Sequence, residues 1–286
     1  MRLRVNHETR YRYDRPARNV IQTLRLTPQS HDAQYVRRWR VEVDQDVRLF
    51  QGQDSLGNPV HHLTIDGPID ALTVTAFGEV EVQDAGGIVA GTRERLPAGV
   101  FLRETRLTKP NPAIRALSPP HVSSNPDVLT SLHELMGTLR ERMLFEVGTT
   151  GASTTGAEAL SAGHGVCQDF SHVFIAAARH AGIPARYVSG HLNHPDTDAA
   201  QEAGHAWAEA LVPDLGWVGF DSANGICVTE HYVRVAIGFD ALSGAAIRGA
   251  FAGGGAEDMT VEVHVDQSGR AAQRQTQDAF GQSQSQ

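Results

Sequence analysis

Of the two cysteines in this 286-residue sequence, only one stands where a thiol could act as a nucleophile. Cys167 follows Gly163-His-Gly165 and opens a segment, Cys167–Ala181, in which Phe170, Phe174, Ala177, Ala178 and Ala181 recur at helical spacing. Gly182 supplies the stop and Pro184 prevents continuation. A helix N-terminus presents unpaired N–H groups and roughly half a positive charge, and both favour the thiolate, which is the attacking form of cysteine. Cys227, in Gly225-Ile-Cys-Val228, has neither a helix start nor a base nearby, so core packing is its expected place. The pair is too widely spaced for a disulfide framework or a C-x-x-C metal site.

A cysteine nucleophile needs a base, and the base needs an orienting partner. Fourteen histidines make closeness in sequence uninformative. A hairpin narrows the choice. His205–Val212 and Trp217–Asp221 read as strands flanking the turn sequence Pro213-Asp-Leu-Gly216. His205 and Asp221 then become near cross-strand neighbours, aligned through a bulge or a diagonal pairing. His205, Trp207 and Glu209 share one face of their strand, and Trp217, Gly219 and Asp221 share one face of theirs. With the helix packed across the sheet, this is a Cys–His–Asp arrangement. Asp221 has a competing role as the cap of the turn Ser222–Gly225. Gln168 and Trp207 are the candidate substrate-binding residues, and for Trp207, as for Trp217, the competing place is the core. His191, His194, Asp196 and Asp198 invite a metal reading, but their loop lacks the i, i+4 spacing of a zinc protease. Neither phosphate-binding glycine pattern occurs. No metal and no cofactor are expected.

The elements that position these residues form an α+β chain in two parts. Residues 1–106 alternate apolar and polar positions in Leu3–Tyr13, Val36–Val43, His61–Ile65 and Leu72–Val82, with breaks at Asp14-Arg-Pro16, Gly57-Asn-Pro59 and Asp66-Gly-Pro68. They predict an N-terminal antiparallel β domain. Residues 107–125 are proline-rich and read as a linker. The core, 126–265, begins with a helix capped at Ser124 or Asn125 and running to about Phe145. It continues through one short turn at Ala157–Ala162, the Cys167 helix, a strand at Arg186–Leu192 and a polar loop, His194–Gly204. The hairpin follows, and Met259–Val265 is its last strand. Residues 266–286, rich in Gln and Ser, have little to bury and are expected to be disordered.

A net charge of −8 argues against a general nucleic-acid binder, and 41% hydrophobic residues support a sizeable core. No uncharged apolar run approaches the roughly 18 residues of a bilayer span, and the polar, arginine-rich start has no signal-like segment. A cytoplasmic protein without membrane or nucleic-acid partners, acting on a peptide or protein substrate, is the expectation; the sequence leaves the oligomeric state open.

Four blocks now carry a resemblance: Gly165-Val-Cys-Gln-Asp-Phe170, Gly182-Ile-Pro-Ala-Arg-Tyr-Val-Ser-Gly190, Gly204-His-Ala-Trp-Ala-Glu209 and Gly216-Trp-Val-Gly-Phe-Asp221. In this order they resemble the core of the transglutaminase-like superfamily. Upstream, Tyr13-Asp-Arg-Pro16, Leu24-Arg-Leu-Thr-Pro28 and Asp54-Ser-Leu-Gly-Asn58 are similar to the N-terminal β domain of bacterial transglutaminase-like proteins, often labelled as candidate cysteine proteases. His231-Tyr-Val-Arg-Val-Ala-Ile-Gly238 resembles the segment after the Asp strand. The resemblance implies a papain-like α+β core, with Cys167 as nucleophile, His205 as general acid/base and Asp221 as orienting carboxylate. It implies a cysteine protease or amidohydrolase, with protein-glutamine transamidation as the alternative and a non-catalytic peptide-binding scaffold as the rival from another class. The chain departs from the animal enzymes in having no Trp between Trp39 and Cys167 to help hold an oxyanion.

Overall fold

The computed structural model describes residues 1–194, 204–253 and 255–267. Alternation in the first part of the chain produces β1 (Arg2–Leu24), β2 (Gln34–Val43), β3 (Phe50–Gln53) and β4 (Pro59–Val82), all antiparallel. The break signals at Asp14-Arg-Pro16 and Asp66-Gly-Pro68 do not end strands. They face each other across the β1–β4 ladder, where the register shifts between Arg12 and Asn19. A proline lacks the N–H that a regular ladder needs, so both prolines fall at this irregularity.

The short strand β5 (Ile88–Val89) leads into the second part, with α1 (Pro112–Leu117), α2 (Val128–Arg142), β6 (Leu144–Phe145), α3 (Gly156–Ala162), β7 (His164–Gly165) and α4 (Cys167–His180). The segment read as a linker, 107–125, is structured. Asn111 caps α1 by accepting from the Ile114 N–H, and Ile114 is fully buried in the core around α4. The α2 cap is also later than the spacing suggested, at Asp127 rather than Ser124 or Asn125. Asp127 accepts from the Thr130 N–H, while Asn125 accepts from the Asp127 N–H and turns the chain into the helix. Helix α3 opens with a capping box between Thr155 and Glu158.

Next come β8 (Ala185–Leu192), β9 (His205–Val212), β10 (Gly216–Asp221), β11 (Ile226–Cys227) and β12 (Tyr232–Gly238), forming a sheet in the order β11-β10-β9-β8-β12 with β5 beside β10. Helix α4 packs on one face, against Ala206, Ala208, Ala210, Val218 and Phe220. Three small side chains on β9 let the helix axis approach closely. Among the described residues, no helix is long and apolar enough to cross a membrane.

The chain then returns to its beginning. β13 (Ile247–Ala252) and β14 (Glu257–Gln267) both pair with β1. The strand at Met259–Val265, placed with the core on sequence, therefore completes the N-terminal sheet. Its residues alternate apolar and polar, but nothing in that pattern names its partner. The tail expected beyond it lies outside the described residues.

Two amide side chains join the parts along the open edge of β12. Asn58 donates to the Ile237 carbonyl and accepts from the Ile237 N–H, both at 2.8 Å. Gln34 does the same with Arg234, at 2.9 and 2.8 Å. Each amide thus stands in for a neighbouring strand. Asn58→Ala leaves a buried N–H and carbonyl unpaired, and we expect it to cost about 1–3 kcal/mol, read as a lowered denaturant midpoint at unchanged m.

Candidate active site

Helix α4 begins at Cys167 because Asp169 closes back on the preceding turn. Its carboxylate accepts from the Val166 N–H at 2.9 Å and from the Thr150 hydroxyl at 2.6 Å. Gly165 must lack a side chain here, since a Cβ would lie 2.7 Å from an Asp169 carboxylate oxygen. Burial pushes the Asp169 carboxyl up against the pull of these donors. Cys167 is left half-buried at the first helical position, where N–H groups have no intrahelical acceptor.

His205 opens β9, and the register explains how it finds Asp221. Phe220 pairs with Ala208 and no bulge interrupts the hairpin, so the next pair is Asp221 with Trp207, and His205 lies on the diagonal. Its Nε2 is 2.6 Å from Asp221 Oδ2. Nδ1 is then the nitrogen left for the thiol. His205 and Asp221 occupy the sheet face opposite the alanines that pack on α4. Cys167 and His205 interact because each is the first residue of its element, so both reach the same end of the sheet. Burial opposes charge on this ring, but the hydrogen bonds and charges of Asp221 and Cys167 outweigh it, and the His205 pKa is pushed up to about 10.

Asp221 fills both roles that the sequence set in competition. Oδ2 accepts from His205, from the Tyr232 hydroxyl at 2.8 Å and from the Asn224 amide at 2.7 Å. Oδ1 accepts from the Ala223 and Asn224 N–H groups and so caps the turn. Burial penalises the charge, yet these donors hold its pKa below the ordinary carboxylate value.

Trp207 is corrected by the structure. Only 2% exposed, it belongs to the core with Phe101, Trp217 and Tyr232 rather than to a groove wall. Its ring lies 6.3 Å from that of His205 and meets Tyr232 edge-on at 5.4 Å, so it backs the imidazole and keeps water from that side. Beneath it, Glu209 is wholly buried between Arg186 and Arg234, each 2.7 Å away. The two guanidiniums outweigh its burial and draw its pKa down to about 2. This network, Tyr232 and Asn224 were not found by sequence reasoning. The alternation that put Glu209 on the His205 face was the available signal.

Gln168 and Cys167 line a groove of about 440 Å³. Tyr187 and His191 of β8 share its lining, as do His7 and Tyr11 of β1 and Met259 of β14. Burial pushes the Tyr187 phenol up, the charge of Cys167 adding to it, so the hydroxyl stays a protonated donor. Burial also lowers His7 to about 4 and His191 to about 3, leaving both neutral. His191, once a candidate ligand, packs edge-on against His7 and over Trp39. Asp196 and Asp198 lie outside the described residues. Cys227 packs against the core as expected, and burial pushes its thiol up.

Residues 3–81 match the bacterial transglutaminase-like N-terminal region, and residues 115–222 match the transglutaminase-like superfamily. The chain belongs to the transglutaminase-like superfamily. An uncharacterized protein of Mycobacterium leprae is 32% identical over 277 residues, covering 92% of this chain and 98% of that one. An uncharacterized protein of Mycobacterium tuberculosis is 27% identical, covering 93% and 92%. The crystal structure of a candidate cysteine protease from Cytophaga hutchinsonii has the same transglutaminase-like fold, with a TM-score of 0.73 over 93% of this chain and 90% of that one at 18% identity. In this chain the superfamily match spans α4 and the hairpin and stops just past Asp221. The strands β13 and β14, which close the groove's far side, lie beyond both matched segments.

Proposed function

We propose that the chain is a cysteine hydrolase acting on peptide or amide bonds through a thioester on Cys167. The observation that carries this reading is the imidazole of His205, held on one side by the buried carboxylate of Asp221 and facing the thiol of a helix-opening cysteine at the end of a groove. The Cys167 thiolate attacks the carbonyl carbon, and the C–N bond breaks as His205 gives its proton to the leaving amine. Water then attacks the thioester, His205 takes its proton, and the acid leaves with the thiol restored. The Cys167 N–H is the first donor to the oxyanion. Gln168 contacts the substrate from the groove wall. An amine in place of water would give transamidation from the same intermediate.

Labelling with iodoacetamide at near-neutral pH tests the nucleophile, and a peptide library assayed with and without an added amine reads the outcome of the thioester. A binding scaffold would give neither rapid labelling at Cys167 nor turnover.

The pH profile is a further test. His205 is protonated below its raised pKa, so the ion pair with the thiolate persists as pH rises and is lost through about 10. We expect kcat/KM to be bell-shaped, with its alkaline limb well above the ordinary histidine range. A single rise near the free-thiol value of about 8.5 counts against ion-pair activation.

A further inference from the structure

The groove beside Cys167 has two walls, and the one opposite the core carries charge that the proposed reaction does not use. Arg25, in the Leu24-Arg-Leu-Thr-Pro28 segment, and Arg248, on β13, both line it. The Arg25 N–H donates to the Ala246 carbonyl, which continues the β1–β13 register of Thr23 with Arg248 and Leu24 with Ile247. Arg25 and Arg248 are therefore diagonal neighbours on one face of that ladder, within reach of each other's long side chains. Like charges so placed repel unless an anion joins them. No aspartate or glutamate is found among the described residues lining the groove.

Arg25 is anchored but only partly matched. Its Nε donates to Asp54 Oδ2 at 2.8 Å. The same carboxylate also accepts from the Leu56 N–H, the Asn58 N–H and the Asn58 amide, which fills its acceptor positions. Nη1 of Arg25 is shut off from solvent without a hydrogen-bond partner. A buried guanidinium nitrogen left unpaired is costly, and a ligand acceptor would relieve it. Arg248 is exposed and makes no ion pair among the described residues. Around the two arginines the wall is apolar, with Leu26, Ile247 and Val261.

We propose that this wall is a carboxylate-binding subsite, and that the preferred substrates are peptides carrying a carboxylate close to the bond attacked. The exposed fork of Arg248 suits a carboxylate's two oxygens, and Arg25, held by its Nε with Nη1 unpaired, adds a second positive charge beside it. The negative charge of the whole chain, −8, sharpens the contrast with this cationic wall. The carboxylate is either an acidic side chain or the free C-terminus of the peptide. The proposal rests on the hydrolase reading for the place of the bond attacked, but binding can be measured without turnover.

The experiment uses the full chain carrying Cys167→Ala and three pools of short fluorescein-labelled peptides at low salt. One pool has a single Glu and an amidated end, the second has Gln in its place, and the third has no acidic side chain but a free C-terminal carboxylate. At least one carboxylate pool should bind about tenfold or more tightly than the Gln pool, and the preference should weaken as salt rises. Which carboxylate pool binds identifies the source. Arg248→Gln, at an exposed position, should remain folded and lose most of the preference. Arg25→Lys, which keeps charge but not the fork, should lose part of it. Equal binding of all pools, or a preference that survives Arg248→Gln, overturns the subsite. Failure of turnover or of Cys167 labelling in the unmodified chain bears instead on the hydrolase reading.

Discussion

Cys167→Ala should bring hydrolysis down to background, a loss on the order of 10⁶ where the nucleophile carries the covalent step. The fold should survive. Cys167 is half-buried at the first position of α4, and the helix start is held by Asp169 through Val166 and Thr150, none of which needs the sulfur. Removing one exposed-side atom there should cost about 1 kcal/mol or less, a shift of only a few degrees in Tm for a chain of this size. The same variant should no longer take up iodoacetamide quickly at neutral pH. Cys227→Ala is the companion measurement. Burial pushes that thiol up and it is partly buried against the core, with no base beside it, so turnover and rapid labelling should both persist without it. Turnover that survives in Cys167→Ala removes the nucleophile assignment. Rapid labelling that disappears with Cys227 instead would move the reactive thiol to the wrong strand.

What could be read from sequence follows the range of the forces concerned. Helix α4 was legible from Cys167 to its glycine stop because its apolar period and its breaker are local. The hairpin was legible because a turn sequence fixes which strand residues meet, and the diagonal between His205 and Asp221 is a consequence of counting from that turn. The helix was expected across the sheet, with no face assigned to it. It packs on the alanine face, because only there can its axis come close, and the two reacting groups meet at the ends of their elements. Trp207 was a candidate for substrate contact, with the core as its competing place, and it shares a strand face with His205. That face is covered by Phe101 and Tyr232, which come from distant segments whose patterns do not name their partners. The return of β14 to β1 was hidden for the same reason: antiparallel partners more than two hundred residues apart leave no mark in either strand's own alternation. The Asn58 and Gln34 clasps on β12 are likewise single side chains acting across the fold.

Asp221→Asn should separate the two roles that this residue combines. With its oxygen kept on the Ala223 and Asn224 N–H groups, the new amide nitrogen would replace Oδ2, where His205, Tyr232 and the Asn224 amide now donate. Three donors would then meet a donor. The Tyr232 hydroxyl can rotate and the Asn224 amide can flip. His205 can answer only by moving its proton from Nε2 to Nδ1, which turns the wrong tautomer towards Cys167, and the lost carboxylate no longer favours the imidazolium. Turnover should fall by about 10³–10⁴, and the alkaline limb of the pH profile should move down towards the ordinary histidine range. Stability should fall by only about 1–3 kcal/mol, since the turn keeps its cap and the strand its packing. Tyr232→Phe provides the scale. It removes one donor to Oδ2 and leaves the ring against Trp207, so it should cost about 1 kcal/mol and disturb turnover far less than the loss of the charge. Measuring kcat/KM, its pH profile and Tm on both variants settles the matter. Near-normal turnover in Asp221→Asn would leave Asp221 as a turn cap and reduce the site to Cys167 and His205.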